Sequence, residues 1–466
     1  VVHFMNDDRA RTGHTFNPLR FTLSLTVSLS LAGCGVFSTV KKTVVGSDDN
    51  GPKILAGFIG GVAADEPRAA LAAKQILALG GNAADAAVTL GFMLSVTLPS
   101  RASLGGGGAC LAYDPAGSSP NKGVPEAILF LPGAPATRAG DRPAAVPALA
   151  RGLYLLSARY GSQQFQELIA PAEQAARFGF PVSRALAMDL ASVAGPLTSS
   201  PTTRAIFAPD GTPLTEGGRL QQPDLGGTLA QIRTVGVGDM YGGLLGQKLA
   251  EATAQAGGPM TVADLRAAKL SLAPVLNQDA GRDHVALLPT DGGTATQAAF
   301  NVLQHDPAAI QQAGEASEAA AAPARGGALP PLPASTSFVV VDRKGNAVAC
   351  ALTMNNLFGT GRIAPGTGIL LAASPASKPP PLLTAALAWN ENLHAFRAAV
   401  GGSGQNAAAL ATAAAMAQAL AGAAVAVPDP GRVNVASCTH YLPGSAGSCQ
   451  FATDPRGAGL ASGGSQ

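Results

Sequence analysis

The sequence is short of everything that marks a nucleic-acid or metal protein. Only 13% of its 466 residues are charged, 31 Lys and Arg face 29 Asp and Glu, and no dense basic run occurs, which argues against a nucleic-acid partner. The five cysteines, Cys34, Cys110, Cys350, Cys438 and Cys449, include no CxxC pair, and six histidines are scattered from His3 to His440. That pattern predicts no zinc or iron-sulfur site, no other metal, and scattered imidazoles with solvated or structural roles. No apolar run is long enough to make a convincing membrane span. What is abundant is apolar residue, at 47%, enough for a large core in one big domain or two closely packed ones. Fifty-seven glycines and 35 prolines predict many turns and some low-complexity stretches.

The amino terminus reads as an address. Arg9, Arg11 and Arg20 precede the apolar run 21–32, and Met5 is a candidate start. The run closes on Leu31-Ala32-Gly33-Cys34, which resembles a bacterial lipoprotein box with Cys34 as the lipidated first residue of the mature chain. Residues 1–33 are then a lipoprotein signal peptide and 34–52 a tether. Acyl chains on Cys34 would anchor the protein to a bacterial membrane without spanning it. The body would be periplasmic or otherwise extracytoplasmic. Such a compartment permits disulfides, so Cys438 and Cys449 either close a small bridge or remain free thiols.

In the body, a strand is expected at 54–59, ending in Gly60-Gly61. A helix follows from Pro67 and stops at Gly80-Gly81-Asn82, and a second, apolar nearly all round, runs over 83–96. Gly105-Gly106-Gly107-Gly108 then leads into a strand. No Lys-Ser/Thr follows, so this is not a phosphate loop. Residues 143–300 read as mainly helical, with helices near 145–159, 163–177, 183–192, 226–234, 242–255 and 261–268. Residues 313–334, rich in Ala, Gly and Pro, read as a low-complexity linker. At Ser335 the composition changes to two β-rich runs around Arg343-Lys344-Gly345, which predicts a hairpin that pairs Ser335 with Thr353.

Three ordered segments carry a resemblance: Gly80-Gly81-Asn82-Ala83-Ala84-Asp85-Ala86-Ala87-Val88, the run 104–108, and Asp342 to Val348 with Leu352-Thr353-Met354-Asn355-Asn356-Leu357-Phe358-Gly359-Thr360-Gly361. Together with 365–371 and Asp454-Pro455-Arg456, they make residues 53–460 similar to gamma-glutamyltranspeptidases. The resemblance implies an α+β fold, a four-layer αββα sandwich of the N-terminal-nucleophile hydrolase type, made as a precursor that cuts itself before its nucleophile. That nucleophile would be Ser335. The division would be a large-subunit region at 53–312, the linker at 313–334 and a small-subunit region at 335–466, the two subunits staying associated after the cut.

The resemblance further implies that Thr353 bonds the nucleophile, that Asn355 contacts substrate, and that Gly404 and Gln405 supply oxyanion N–H groups. The freed α-amino group of Ser335, with a reference pKa of about 7.7–8.0, would serve as base. No cofactor is implied. Substrates would be gamma-glutamyl compounds such as glutathione, or a related amide.

The sequence departs from the family pattern in several places. The nucleophile is Ser rather than Thr. Leu131 stands where an arginine would grip the substrate α-carboxylate, and the aspartate for its α-amino group falls near Ser377. Leu383 and Thr384 replace a serine pair. These exchanges remove the charge pair that reads an α-amino acid. Arg101 and Arg362 are either substitutes or ordinary surface charges. Two other readings stay open: a processing-deficient lipoprotein that uses the fold as a binding or structural module, and Ser403 as a conventional nucleophile. Against the latter, Gly401-Gly402-Ser403-Gly404-Gln405 lacks the closing glycine of G-x-S-x-G and no triad is evident.

Overall fold

The computed structural model describes Leu55 and residues 57–463, except 137–138, 325–331, 333 and 378. The signal-peptide reading, Cys34 and the whole of the tether lie outside the described residues. Thirteen strands matter for the site: β1 (Gly60–Ala64), β2 (Gly107–Tyr113), β3 (Glu126–Phe130), β4 (Ser271–Pro274), β5 (Leu276–Ala280), β6 (Asp283–Leu287), β7 (Ser335–Asp342), β8 (Ala347–Thr353), β9 (Thr384–Asn390), β10 (Ala395–Ser403), β11 (Arg432–Leu442), β12 (Cys449–Thr453) and β13 (Leu460–Ser462). They form two antiparallel sheets, in the orders β13-β1-β7-β8-β2-β3-β4 and β12-β11-β10-β9-β6-β5. The helices named below are α1 (Pro67–Ala78), α2 (Ala83–Thr97), α3 (Leu149–Tyr160), α4 (Phe165–Phe178), α5 (Pro223–Val235), α6 (Asp291–Leu303), α7 (Ile310–Ala321) and α8 (Ala407–Ala421).

The period of two along β7 explains the layering. Phe338 and Val340 pack into an apolar cluster with α1 to α5, while Val339 and Val341 face the other way, against Leu387, Trp389 and Phe396 of the second sheet. The far side of that second sheet, through Val285, Leu287, Val400 and Val435, meets Phe300 of α6, Ala313 of α7 and Met416 of α8. All eight residues of β7 are buried, and its stretch Phe338 to Val341 is accordingly apolar on both faces. The result is the expected αββα sandwich.

Several local expectations hold. α2 is buried at all fifteen positions. Its start is a capping box, in which Asn82 Oδ1 accepts from Asp85 N–H at 3.0 Å and Asp85 Oδ2 accepts from Asn82 N–H at 2.9 Å. Asp342 joins this start to the hairpin: its carboxylate accepts from Ala83 N–H at 3.1 Å and, across the turn, from Lys344 N–H at 2.8 Å. Burial pushes the Asp342 carboxyl up, against the pull of those hydrogen bonds. Two signature segments far apart in sequence are therefore one structural joint.

Other expectations need correction. The first strand is Gly60–Ala64, beginning where it was expected to end, because Gly60 to Ala64 pair with β7. The span 143–300 is not helical throughout, since β4, β5 and β6 occupy Ser271 to Leu287. Much of the proposed linker is helix: α7 covers Ile310–Ala321 and buries Ala313, Ser317 and Ala321. Two disulfides are present among the described residues. Cys438–Cys449 joins paired positions of β11 and β12, and Cys110–Cys350, 240 residues apart, joins paired positions of β2 and β8.

Candidate active site

Ser335 opens β7 and Thr353 closes β8, and the two are register partners, as the hairpin arithmetic requires. Both are 1% exposed. The Ser335 hydroxyl is buried and makes no hydrogen bond among the described residues. Next to it, the Ala334 carbonyl is held by two donors, the Thr353 hydroxyl at 2.8 Å and the Met354 N–H at 3.2 Å. Paired donors on one carbonyl oxygen draw charge onto it and leave its carbon more open to attack. Thr353 bonds the carbonyl that precedes Ser335, where the resemblance implied a bond to the nucleophile.

Asn355 fixes the direction of that hydroxyl. Its backbone N–H donates to Thr353 Oγ1 at 2.8 Å, so the Thr353 oxygen accepts from one side and gives its hydrogen to Ala334 on the other. The turn that makes this possible puts Asn355 at φ 59°, in the left-handed region where Asn is among the better tolerated residues. The Asn355 amide donates to the carbonyls of Ala373 at 2.9 Å and Pro132 at 3.5 Å, tying together two walls beside the site. The glycine run is packed against the same turn: a side chain on Gly106 would run into the Thr353 carbonyl.

Gly404 and Gln405 sit between β10 and α8. Gly404 has φ 112°, and an added Cβ would come within 2.7 Å of the Pro430 carbonyl oxygen, so this position suits glycine alone. Gln405 holds φ 57°, and its side-chain oxygen accepts the Ala334 N–H at 3.1 Å. That contact is made by an acceptor, which grips the chain before Ser335 rather than stabilising negative charge.

Beneath β7 lies a polar network that sequence reading did not find. Asp65 accepts from the Thr336 hydroxyl at 2.8 Å, the Ser337 N–H at 3.2 Å and the Asn434 amide at 2.7 Å. Asn434 also donates to the Ser337 carbonyl at 2.9 Å. Asp65 lies just before α1, and nothing local signals that it holds β7, its contact with Thr336 spanning 271 residues.

Other candidates are engaged elsewhere. Arg101 makes a two-pronged pair with Asp189 at 2.8 and 2.7 Å, and Arg362 does the same with Asp141 at 2.9 and 2.7 Å. The Asp189 charge and hydrogen bonds overcome burial and hold the Arg101 guanidinium above its ordinary range, whereas the Arg362 hydrogen bond holds the Asp141 carboxyl below its own. Ser377 donates to the Ser374 carbonyl at 2.7 Å. Thr384 bonds Thr412 at 2.8 Å, between β9 and α8. Ser403 is buried at the end of β10.

Known proteins share both the fold and the sequence pattern. The structure of a cephalosporin acylase from Bacillus halodurans superposes with a TM-score of 0.69 at 18% identity, covering 88% of this chain and 96% of that one. The glutathione hydrolase proenzyme of Escherichia coli strain K12 is 29% identical over 379 residues, 67% of this chain and 65% of its own length. That of Bacillus subtilis strain 168 is 29% identical over 294 residues, 59% of this chain and 50% of its own. The chain thus spans between half and two thirds of the length of these relatives. The gamma-glutamyltranspeptidase family model matches residues 69–325 and 315–377, a span that holds Ser335, Thr353 and Asn355 and more than half of the chain. The chain belongs to the gamma-glutamyltranspeptidase family.

Proposed function

We propose that this chain is a self-cleaving N-terminal-nucleophile amide hydrolase or transferase in which Ser335 is the nucleophile. The observation that carries the reading is the Ala334 carbonyl, clasped by Thr353 and Met354, beside a buried Ser335 hydroxyl that makes no hydrogen bond among the described residues. In the first reaction Ser335 Oγ bonds to the Ala334 carbonyl carbon and the Ala334–Ser335 C–N bond breaks. The hydroxyl proton passes to the departing nitrogen. Water then hydrolyses the resulting ester, giving an Ala334 carboxylate and a free Ser335 α-amino group.

In the mature protein that amine takes the Ser335 hydroxyl proton. The alkoxide attacks a substrate amide, the amine half leaves with the proton, and the acyl-Ser335 ester passes to water or to a second amine. Thr353 and Asn355 are the positioning and substrate-contacting groups of this reading, and the backbone N–H groups at Gly404 and Gln405 the oxyanion donors. The relatives named glutathione hydrolase support an amide of the gamma-glutamyl kind or one related to it, and an acylase proenzyme of a Pseudomonas strain, 32% identical over 238 residues, supports the wider class. The subunits would meet at Ala334/Ser335 and remain associated. Lipidation at Cys34 would hold the enzyme at an extracytoplasmic membrane face.

The test is intact mass and a reducing denaturing gel on wild type and Ser335→Ala. Two fragments meeting at Ala334/Ser335 in wild type alone are expected; an uncut wild-type chain would overturn the proposal.

A further inference from the structure

Beside Thr353 and Asn355 lies a cavity of about 260 Å³, and its walls are unusual for a site expected to hold an amino acid. Leu131, Pro132, Leu382 and Leu383, with Pro379 to Pro381, make half of its lining residues, and Asp291 is the one ionisable residue among the described residues that line it. No Lys, Arg or His reaches it from those residues. The two arginines that could have served are bound to Asp189 and Asp141, and neither lines the cavity. Thr353 is both a wall of this cavity and the donor to the Ala334 carbonyl, so the cavity lies one hydrogen bond from the carbonyl that precedes Ser335.

We infer that this cavity receives the acyl half of the substrate, and that the acyl group is apolar and uncharged rather than an α-amino-acid chain. The inference rests on the assignment of Ser335 as nucleophile. A carboxylate placed here would lose water and find no cation among the described lining residues, with the exposed Asp291 carboxylate at the rim adding like charge, penalties that an alkyl or aryl chain avoids. The volume is just below the roughly 300–1,000 Å³ of pockets for drug-sized ligands, which suits one short acyl group. Asp291 is exposed at the first turn of α6, at the rim of the cavity. Overall the reaction converts an amide and water into a carboxylic acid and an amine, through acyl-Ser335, with no further reactant.

The experiment compares acetyl, butyryl, hexanoyl, phenylacetyl, glutaryl and gamma-glutamyl p-nitroanilides on the full chain after its cut has been verified by mass. kcat/KM should rise about fourfold per added methylene from acetyl to hexanoyl. Hexanoyl and phenylacetyl should exceed glutaryl and gamma-glutamyl by at least about tenfold. Preference for either charged acyl group, or a cut chain that hydrolyses none of the series, overturns the inference. An uncut wild-type chain would instead defeat the nucleophile assignment. The cavity exists in the uncut chain, so ligand-observed NMR on Ser335→Ala decides the acyl question independently: hexanamide should bind more tightly than glutaramate, and the reverse order overturns it.

Discussion

The Thr353 hydroxyl donates to the Ala334 carbonyl at 2.8 Å while accepting the Asn355 N–H at 2.8 Å, so a threonine at the end of one strand sets the polarity of the peptide bond opposite it. Thr353→Val keeps the shape and β-branching and removes the donor. Self-cleavage should slow about 100-fold, in line with loss of one donor from an oxyanion clasp, while Thr353→Ser should stay within about tenfold of wild type. The half-time of fragment appearance measures both.

Gln405 grips the residue before the proposed cut. Its oxygen accepts the Ala334 N–H, a partner that would depart with the upstream chain on the proposed cleavage. Gln405→Ala should therefore slow self-cleavage by about tenfold through misplacement of Ala334. It should have a smaller effect on kcat/KM of the mature protein. Equal losses in the two assays would show that the residue acts on the mature site instead.

Asp65 holds β7 from below through Thr336, Ser337 and Asn434. Removal of its carboxylate leaves three donors without their acceptor, which costs about 1–3 kcal/mol. Asp65→Ala should lower the urea midpoint accordingly, with Asp65→Asn intermediate. A midpoint unchanged in Asp65→Ala would show that water replaces the carboxylate.

The hairpin of β7 and β8 was legible because its two β-rich runs surround a short glycine-containing turn, and the two terminal hydroxyls then fall opposite each other by counting. α2 was legible for a different reason, an apolar surface all round behind an Asn cap. β4 to β6 were missed: β4 and β5 are edge strands with mixed burial, so neither clean alternation nor a continuous apolar run marks them. α7 was mistaken for linker because its alanines look like low complexity, although alanine is the best helix former. At the candidate site, Ser335, Thr353 and Asn355 were named by motif. Asp65, Asn434 and the Met354 N–H were not, since each contributes through a contact that only the sheet-on-sheet packing creates.

The Cys110–Cys350 bond changes meaning once the proposed cut is considered. Cys110 lies upstream of Ala334/Ser335 and Cys350 downstream, so scission of the peptide would yield two polypeptides that are still one covalent molecule. Without reductant a processed sample should migrate as a single species on a denaturing gel, and only dithiothreitol should release the pair. Cys110→Ala with Cys350→Ala should release them in its absence. The nucleophile strand would thus be stapled through its neighbour to the other fragment, and dissociation, which could otherwise inactivate a two-piece enzyme at high dilution, would become a redox event.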